Sequence, residues 1–153
     1  MNEITKGVSY KEYLLTLIRI LVFLNYLGKD HKKNTSEDRI VLYDFFLKYP
    51  ELTNSSEKMD FDTKYSYFHW KPNYKLYATL LVELQGRLFI SYDKNNSRYY
   101  IDDLGLKFIS NMSNSYIDNL GVTSEYLSKN ICKLSNKAIT EHINQILLKN
   151  REW

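Results

Sequence analysis

The residues best equipped for chemistry are three histidines (His31, His69 and His142), one cysteine (Cys132) and an adjacent acidic pair, Asp102-Asp103. Their spacing decides what they can do. A zinc site draws its His and Cys ligands from short, recurrent intervals, and no histidine here lies at ligand spacing from another or from Cys132. The five glycines are dispersed, so no glycine-rich loop can cradle a phosphate. No serine occupies a nucleophile elbow. Asp102-Asp103 stands where a β-prone run gives way to a helical one, and a strand-to-helix cap accounts for both carboxylates better than a bound cation does. Cys132 falls in an apolar helical pattern with Leu127, Ile131 and Leu134, which marks it as a buried, inert thiol. No catalytic constellation assembles, and the chain is expected to be a non-enzymatic protein with no cofactor and no metal.

Recognition chemistry is better represented. Asn73 and Lys75 lie at the start of one helical pattern, and Lys94, Asn95, Asn96 and Arg98 lie in and beside a turn. Lys and Arg suit phosphate oxygens, and Asn also pairs with an adenine edge, so these six are the nucleic-acid candidates. Their charge density is thin. Between Lys71 and Arg98 there are five basic residues and two acids, whereas a strong reader neutralises on the order of 6–10 phosphates. A second group is aromatic: Tyr65, Tyr67, Phe68 and Trp70, with His69, fill five of six consecutive positions. Such rings either pin a loop onto the core or anchor a partner, and these four are the partner-binding candidates.

Both groups depend on the elements that carry them. Tyr10 to Leu27 reads as a helix apolar almost all round, ended by Gly28. Thr35-Ser36-Glu37-Asp38 opens a second helix with a hydroxyl cap and acids in its first turn, and Tyr49-Pro50 ends it. Residues 50–71 form a long irregular loop, polar in its first half and aromatic in its second. Pro72 suits the first position of a third helix, where Leu76, Leu80, Leu81 and Leu84 recur and Gly86 can close the run with positive φ. Leu88–Tyr92 and Arg98–Ile101 are β-prone runs around Asp93-Lys94-Asn95-Asn96-Ser97, whose asparagines tolerate left-handed backbone. Asp102 or Asp103 then caps a helix running to about Met112 with Leu104, Phe108 and Ile109 on its apolar face. Two more helices follow, at roughly 116–133 and 136–150, the first restarting at Thr123 or Ser124 after Gly121 and the second capped by Ser135.

Helix, hairpin, helix is a winged-helix pattern. The expected fold is mainly α with a small β-hairpin: a winged-helix (winged helix-turn-helix) domain over residues 1–113, with loop 50–71 and wing 87–102, and a C-terminal helical extension over 114–153 packed on it. The length of 153 residues suits that organisation. A formal net charge of +3 does not by itself argue for nucleic acid. A single cysteine excludes an internal disulfide and fits a reducing cytoplasm. There is no signal peptide, and the apolar run Tyr13–Leu27 is short for a span and holds Arg19 and Asn25, so no membrane association is expected.

Several stretches carry a family likeness: Arg19-Ile20-Leu21-Val22-Phe23-Leu24; Asp38 through Leu47; Tyr65-Ser66-Tyr67-Phe68-His69-Trp70-Lys71-Pro72; Leu80 through Ile90; and Tyr100-Ile101-Asp102-Asp103-Leu104-Gly105-Leu106-Lys107-Phe108. Over roughly residues 10–130 the chain resembles the middle components of bacterial three-component ABC systems, which include the small accessory subunit of Lamassu-type anti-phage defence. The resemblance implies a non-enzymatic adaptor, partnered by an SMC/Rad50-like ATPase subunit and an effector such as a nuclease, with DNA contacted only within the complex. The alternative is a stand-alone winged-helix transcriptional regulator, dimeric, with its C-terminal helices as the dimer interface.

Overall fold

The computed structural model describes residues 9–28, 33–50 and 73–149. These residues are mostly helical with one two-stranded antiparallel hairpin among them, in the order α1 (Tyr10–Leu27), α2 (Glu37–Lys48), α3 (Tyr74–Gly86), β1 (Ile90–Asp93), β2 (Arg98–Ile101), α4 (Asp103–Ser110), α5 (Ser115–Tyr126) and α6 (Asn136–Lys149). The loop 50–71, with Tyr65, Tyr67, Phe68 and Trp70, lies outside the described residues beyond Pro50, as do His31 and His69.

Helix α1 is the hub. Its run from Arg19 to Leu24 is buried without a break, and it touches α2, α4, α5 and β2. Ser9 caps it by accepting the Glu12 N–H, and Gly28 ends it at φ +62, where a residue without a Cβ turns the chain at no steric cost. Helix α2 is buried on nearly every side, from Arg39 to Leu47. A helix apolar all round is a core helix, and α1 and α2 are the centre of this one. Leu76, Tyr77, Leu80, Leu81 and Leu84 of α3 join the same core, as do Leu120 and Leu127 near α5 and Ile139 and Ile143 of α6.

Several local expectations give way to tertiary contacts. Ser36 sits at the N-cap of α2 without a side-chain bond, because Asn34 Oδ1 takes the Ser36 N–H and the Thr35 hydroxyl donates to the Tyr99 carbonyl at 2.8 Å. Helix α3 begins at Tyr74, two residues past Pro72, capped by Asn73. Gly86 is the last helical residue and has no positive φ; the left-handed backbone falls on Leu88, at φ 62. Strand β1 therefore starts at Ile90 rather than Leu88. In the hairpin turn it is Ser97, at φ 53, that is left-handed and neither asparagine. Asp102 occupies the N-cap of α4 without capping it; its carboxylate accepts the Ser91 hydroxyl at 3.3 Å. Helix α4 stops at Ser110, short of Met112, and leaves Leu104 half exposed. Helix α5 runs through Gly121 with no restart: Thr123 and Ser124 are buried mid-helix, and the chain continues into one wide π-type turn, Leu127–Ile131. Ser135 does cap α6, accepting the Ala138 N–H at 3.1 Å, and Cys132 is buried.

Candidate interaction surface

The six nucleic-acid candidates do not form one patch of free groups. Asn73 spends its side-chain oxygen on the α3 cap, accepting the Leu76 N–H at 3.1 Å. Lys75 is exposed in the first turn of α3. Lys94, Asn95 and Asn96 are exposed together at the hairpin tip, but Asp93 organises that tip. Its Oδ1 accepts the Asn95 N–H at 2.9 Å and its Oδ2 accepts the Asn96 carboxamide N–H at 2.8 Å. The Asp93 carboxylate therefore offsets the Lys94 ammonium at the tip. Arg98 turns inward: its Nη1 donates to Asn34 Oδ1 at 2.9 Å, and its Nε is buried. The outward side of α3 carries Tyr74, Ala78, Val82 and Gly86 at four-residue spacing, with Tyr74 52% and Val82 68% exposed. A helix that reads bases presents polar groups able to bond their edges; a ridge of small and apolar side chains suits packing against protein.

A buried ion pair fixes how α3 stands on the two core helices. Arg19 of α1 donates through Nε to Asp44 Oδ1 at 2.8 Å and through Nη2 to Oδ2 at 3.0 Å. Tyr77 of α3 donates its hydroxyl to Asp44 Oδ2 at 2.5 Å. Arg19 also donates to Thr16 Oγ1, and Glu12 lies 3.7 Å from Arg19 and 3.3 Å from Lys48. Burial alone would lower the Arg19 pKa, but the Asp44 carboxylate outweighs it and the net shift is upward. Burial, and then Asp44, push the Tyr77 hydroxyl well above its ordinary range. One carboxylate thus ties three helices together. Sequence reasoning missed this cluster. The signal available was one arginine and one aspartate, each placed inside an otherwise apolar helical run.

A second buried arginine joins the C-terminal region to α2. Arg39 donates to the Cys132 carbonyl at 3.0 Å, to Asn136 Oδ1 at 3.2 Å and to the Tyr43 hydroxyl, which donates in turn to the Asn34 carbonyl. His142 of α6 stacks on Phe46 with centroids 5.9 Å apart, so it is a packing residue. Among the described residues, no three His, Cys, Asp or Glu side chains are grouped to hold a metal ion. Among the same residues, no helix is long and apolar enough to cross a membrane.

A family model describing the Middle Component 2 of ABC-three component (ABC-3C) systems matches residues 14–152. The chain belongs to that family. No curated protein and no solved structure matches the chain. The match takes in α5 and α6 as well as the hairpin, so the family's unit includes the helices that Arg39 and His142 hold against α2. A middle component works in a multi-component system, and partner subunits follow from that membership. Among the described residues, the α3 ridge and the hairpin tip are left open after the core is packed; the aromatic stretch 65–70 lies outside the described residues.

Proposed function

We propose that this chain is a non-enzymatic adaptor of an anti-phage defence complex of the Lamassu type, bridging an SMC/Rad50-like ATPase and a nuclease-type effector. Membership of the Middle Component 2 family carries the reading. The architecture supports it as a winged helix turned to docking. Thr35 is bonded to the hairpin: its carbonyl accepts the Tyr99 N–H at 3.1 Å while its hydroxyl donates to the Tyr99 carbonyl. Three helices followed by a hairpin, with Thr35 bonded to that hairpin, support a winged-helix reading. The helix in the recognition position presents Tyr74, Ala78 and Val82 outward, with Lys75 the sole cation in its length. Such a ridge favours protein contact over base contact. The test is co-expression with the neighbouring ATPase and effector, followed by size-exclusion chromatography. One co-eluting complex is expected, and three separately eluting proteins would refute the adaptor role.

The stand-alone regulator is favoured by one observation, the exposed Lys94-Asn95-Asn96 tip. It requires tight, sequence-specific binding by the isolated chain. With Asp93 beside Lys94 and Arg98 turned inward, the isolated chain is expected to give only weak, salt-labile gel shifts.

A further inference from the structure

The wide turn Leu127–Ile131 beyond α5 is braced by groups from elsewhere in the fold. In an α-helix the Cys132 N–H would go to the Ser128 carbonyl, four residues back. Here it goes to the Leu127 carbonyl at 2.8 Å, and the Lys33 ammonium takes the Ser128 carbonyl at 3.1 Å. The Asn130 carboxamide donates to the Tyr126 carbonyl at 3.1 Å. Arg39 holds the Cys132 carbonyl and Asn136 just beyond. Lys33 and Arg39 thus reach this region from 95 and 93 residues away in the chain. A turn of this π type is rare and gathers at functional positions.

The segment that carries Lys33 also holds the hairpin. Arg98 Nη1 donates to Asn34 Oδ1 at 2.9 Å. The Thr35 carbonyl accepts the Tyr99 N–H, and the Thr35 hydroxyl donates to the Tyr99 carbonyl. The Asn34 carbonyl accepts the Tyr43 hydroxyl at 2.8 Å, and that hydroxyl accepts Arg39 Nε at 3.1 Å. Bonds therefore run unbroken from Arg98 through Asn34, Tyr43 and Arg39 to Cys132 and Asn136. Thr35, Arg39 and Tyr43 are buried, so water does not make good a link broken among them.

We propose that this chain of bonds is a conformational relay: the seat of the hairpin on residues 33–36 sets the register of the Leu127–Ile131 turn, and with it the seat of α6. Lifting the hairpin releases Asn34 and draws Lys33 away from Ser128. The Ser128 carbonyl then regains its local donor, the Cys132 N–H, and the turn closes to α-helical register. One residue on a helix is a rotation of about 100°. The Cys132 carbonyl swings off Arg39, and the bonds that seat the start of α6 on α2 are lost. An event at the hairpin is thereby felt at α6. The relay belongs to the isolated chain and does not depend on the adaptor reading.

Amide hydrogen exchange of the full chain, resolved residue by residue by NMR, tests it. The Cys132 N–H reports the turn, and the Tyr99 N–H reports the hairpin's hold on Thr35. The Leu81 N–H, in the middle of α3, reports global opening. Arg98→Met should speed exchange at Cys132 about fivefold, the size of one lost hydrogen bond. It should leave Leu81 within about twofold, the scatter of independent sites. Coupling is reciprocal, so Asn136→Ala at the other end should speed exchange at Tyr99 by a similar factor. Lys94→Ala, at the exposed hairpin tip and outside the chain of bonds, should change neither. Thr35→Val removes one hydroxyl bond at nearly constant shape and should act as Arg98→Met does, so the test stands even if the arginine variant fails to fold. Exchange at Cys132 that is unchanged in the hairpin variants, or raised no more than at Leu81, would overturn the relay. So would a Tyr99 amide indifferent to Asn136→Ala, or an equal effect from Lys94→Ala.

Discussion

Asp44 is the residue whose loss the fold should tolerate least. Its side chain is fully buried, and it receives two bonds from Arg19 and one from Tyr77. Asp44→Ala leaves the Arg19 guanidinium, itself 4% exposed at the side chain, without its counter-charge, and orphans the Tyr77 hydroxyl. Stranding one partner of a buried pair costs about 3–5 kcal/mol. A domain of this size holds about 5–15 kcal/mol in all, so the single substitution should remove about a fifth of its stability or more. With a urea slope of about 2 kcal/mol/M, the midpoint should fall by about 2 M. The double variant Arg19→Met/Asp44→Leu removes both charges and fills their space. It should be more stable than Asp44→Ala, because exchanging a whole buried pair for packed apolar groups is often neutral. Urea melts of the wild type, Asp44→Leu, Arg19→Met and the double variant give the cycle, with Asp44→Ala measured beside them. A cost below about 1 kcal/mol for Asp44→Ala, or a double variant equal to the sum of the singles, would refute the claim that this pair locks α3 onto α1 and α2.

Two glycines should respond in opposite directions. A Cβ at Gly105 would lie 2.3 Å from the Phe89 carbonyl, so Gly105→Ala should lower the melting temperature by several degrees, while Gly121 has nothing within 4 Å and Gly121→Ala in mid-helix should add about 0.5–1 kcal/mol. Leu88→Gly should stabilise the isolated chain by up to about 1 kcal/mol by relieving its left-handed backbone, read as a higher urea midpoint. Alkali should destabilise the fold through its tyrosines. Tyr13 is pushed up to about 12, by burial and then by Glu83, so the folded chain holds that proton after the unfolded chain has lost it. The contribution is complete below pH 10 and is lost as pH rises towards about 12. The urea midpoint should fall across that window, and less steeply in Tyr13→Phe.

The sequence by itself determined most of the helices, because their signals are local. The apolar run and Gly28 set α1 at Tyr10–Leu27, Tyr49-Pro50 ended α2, and Ser135 began α6, each within reach of a few neighbouring residues. Arg98–Ile101 was legible as a strand for the same reason. Family membership was legible too, since the likeness resides in ordered stretches of residue types. Tertiary structure alone decided where each polar group went. The Thr35 hydroxyl, suited to a helix cap, bonds the Tyr99 carbonyl 64 residues away, and Asp102, suited to a cap, takes Ser91. Arg98, a phosphate ligand by type, is held by Asn34. Arg19 and Asp44 are 25 residues apart in the chain and a hydrogen bond apart in the core. Apolar side chains need only the same face to be buried together, and periodicity encodes that. A buried donor must find one particular acceptor at hydrogen-bond distance, and only the folded chain brings distant partners that close.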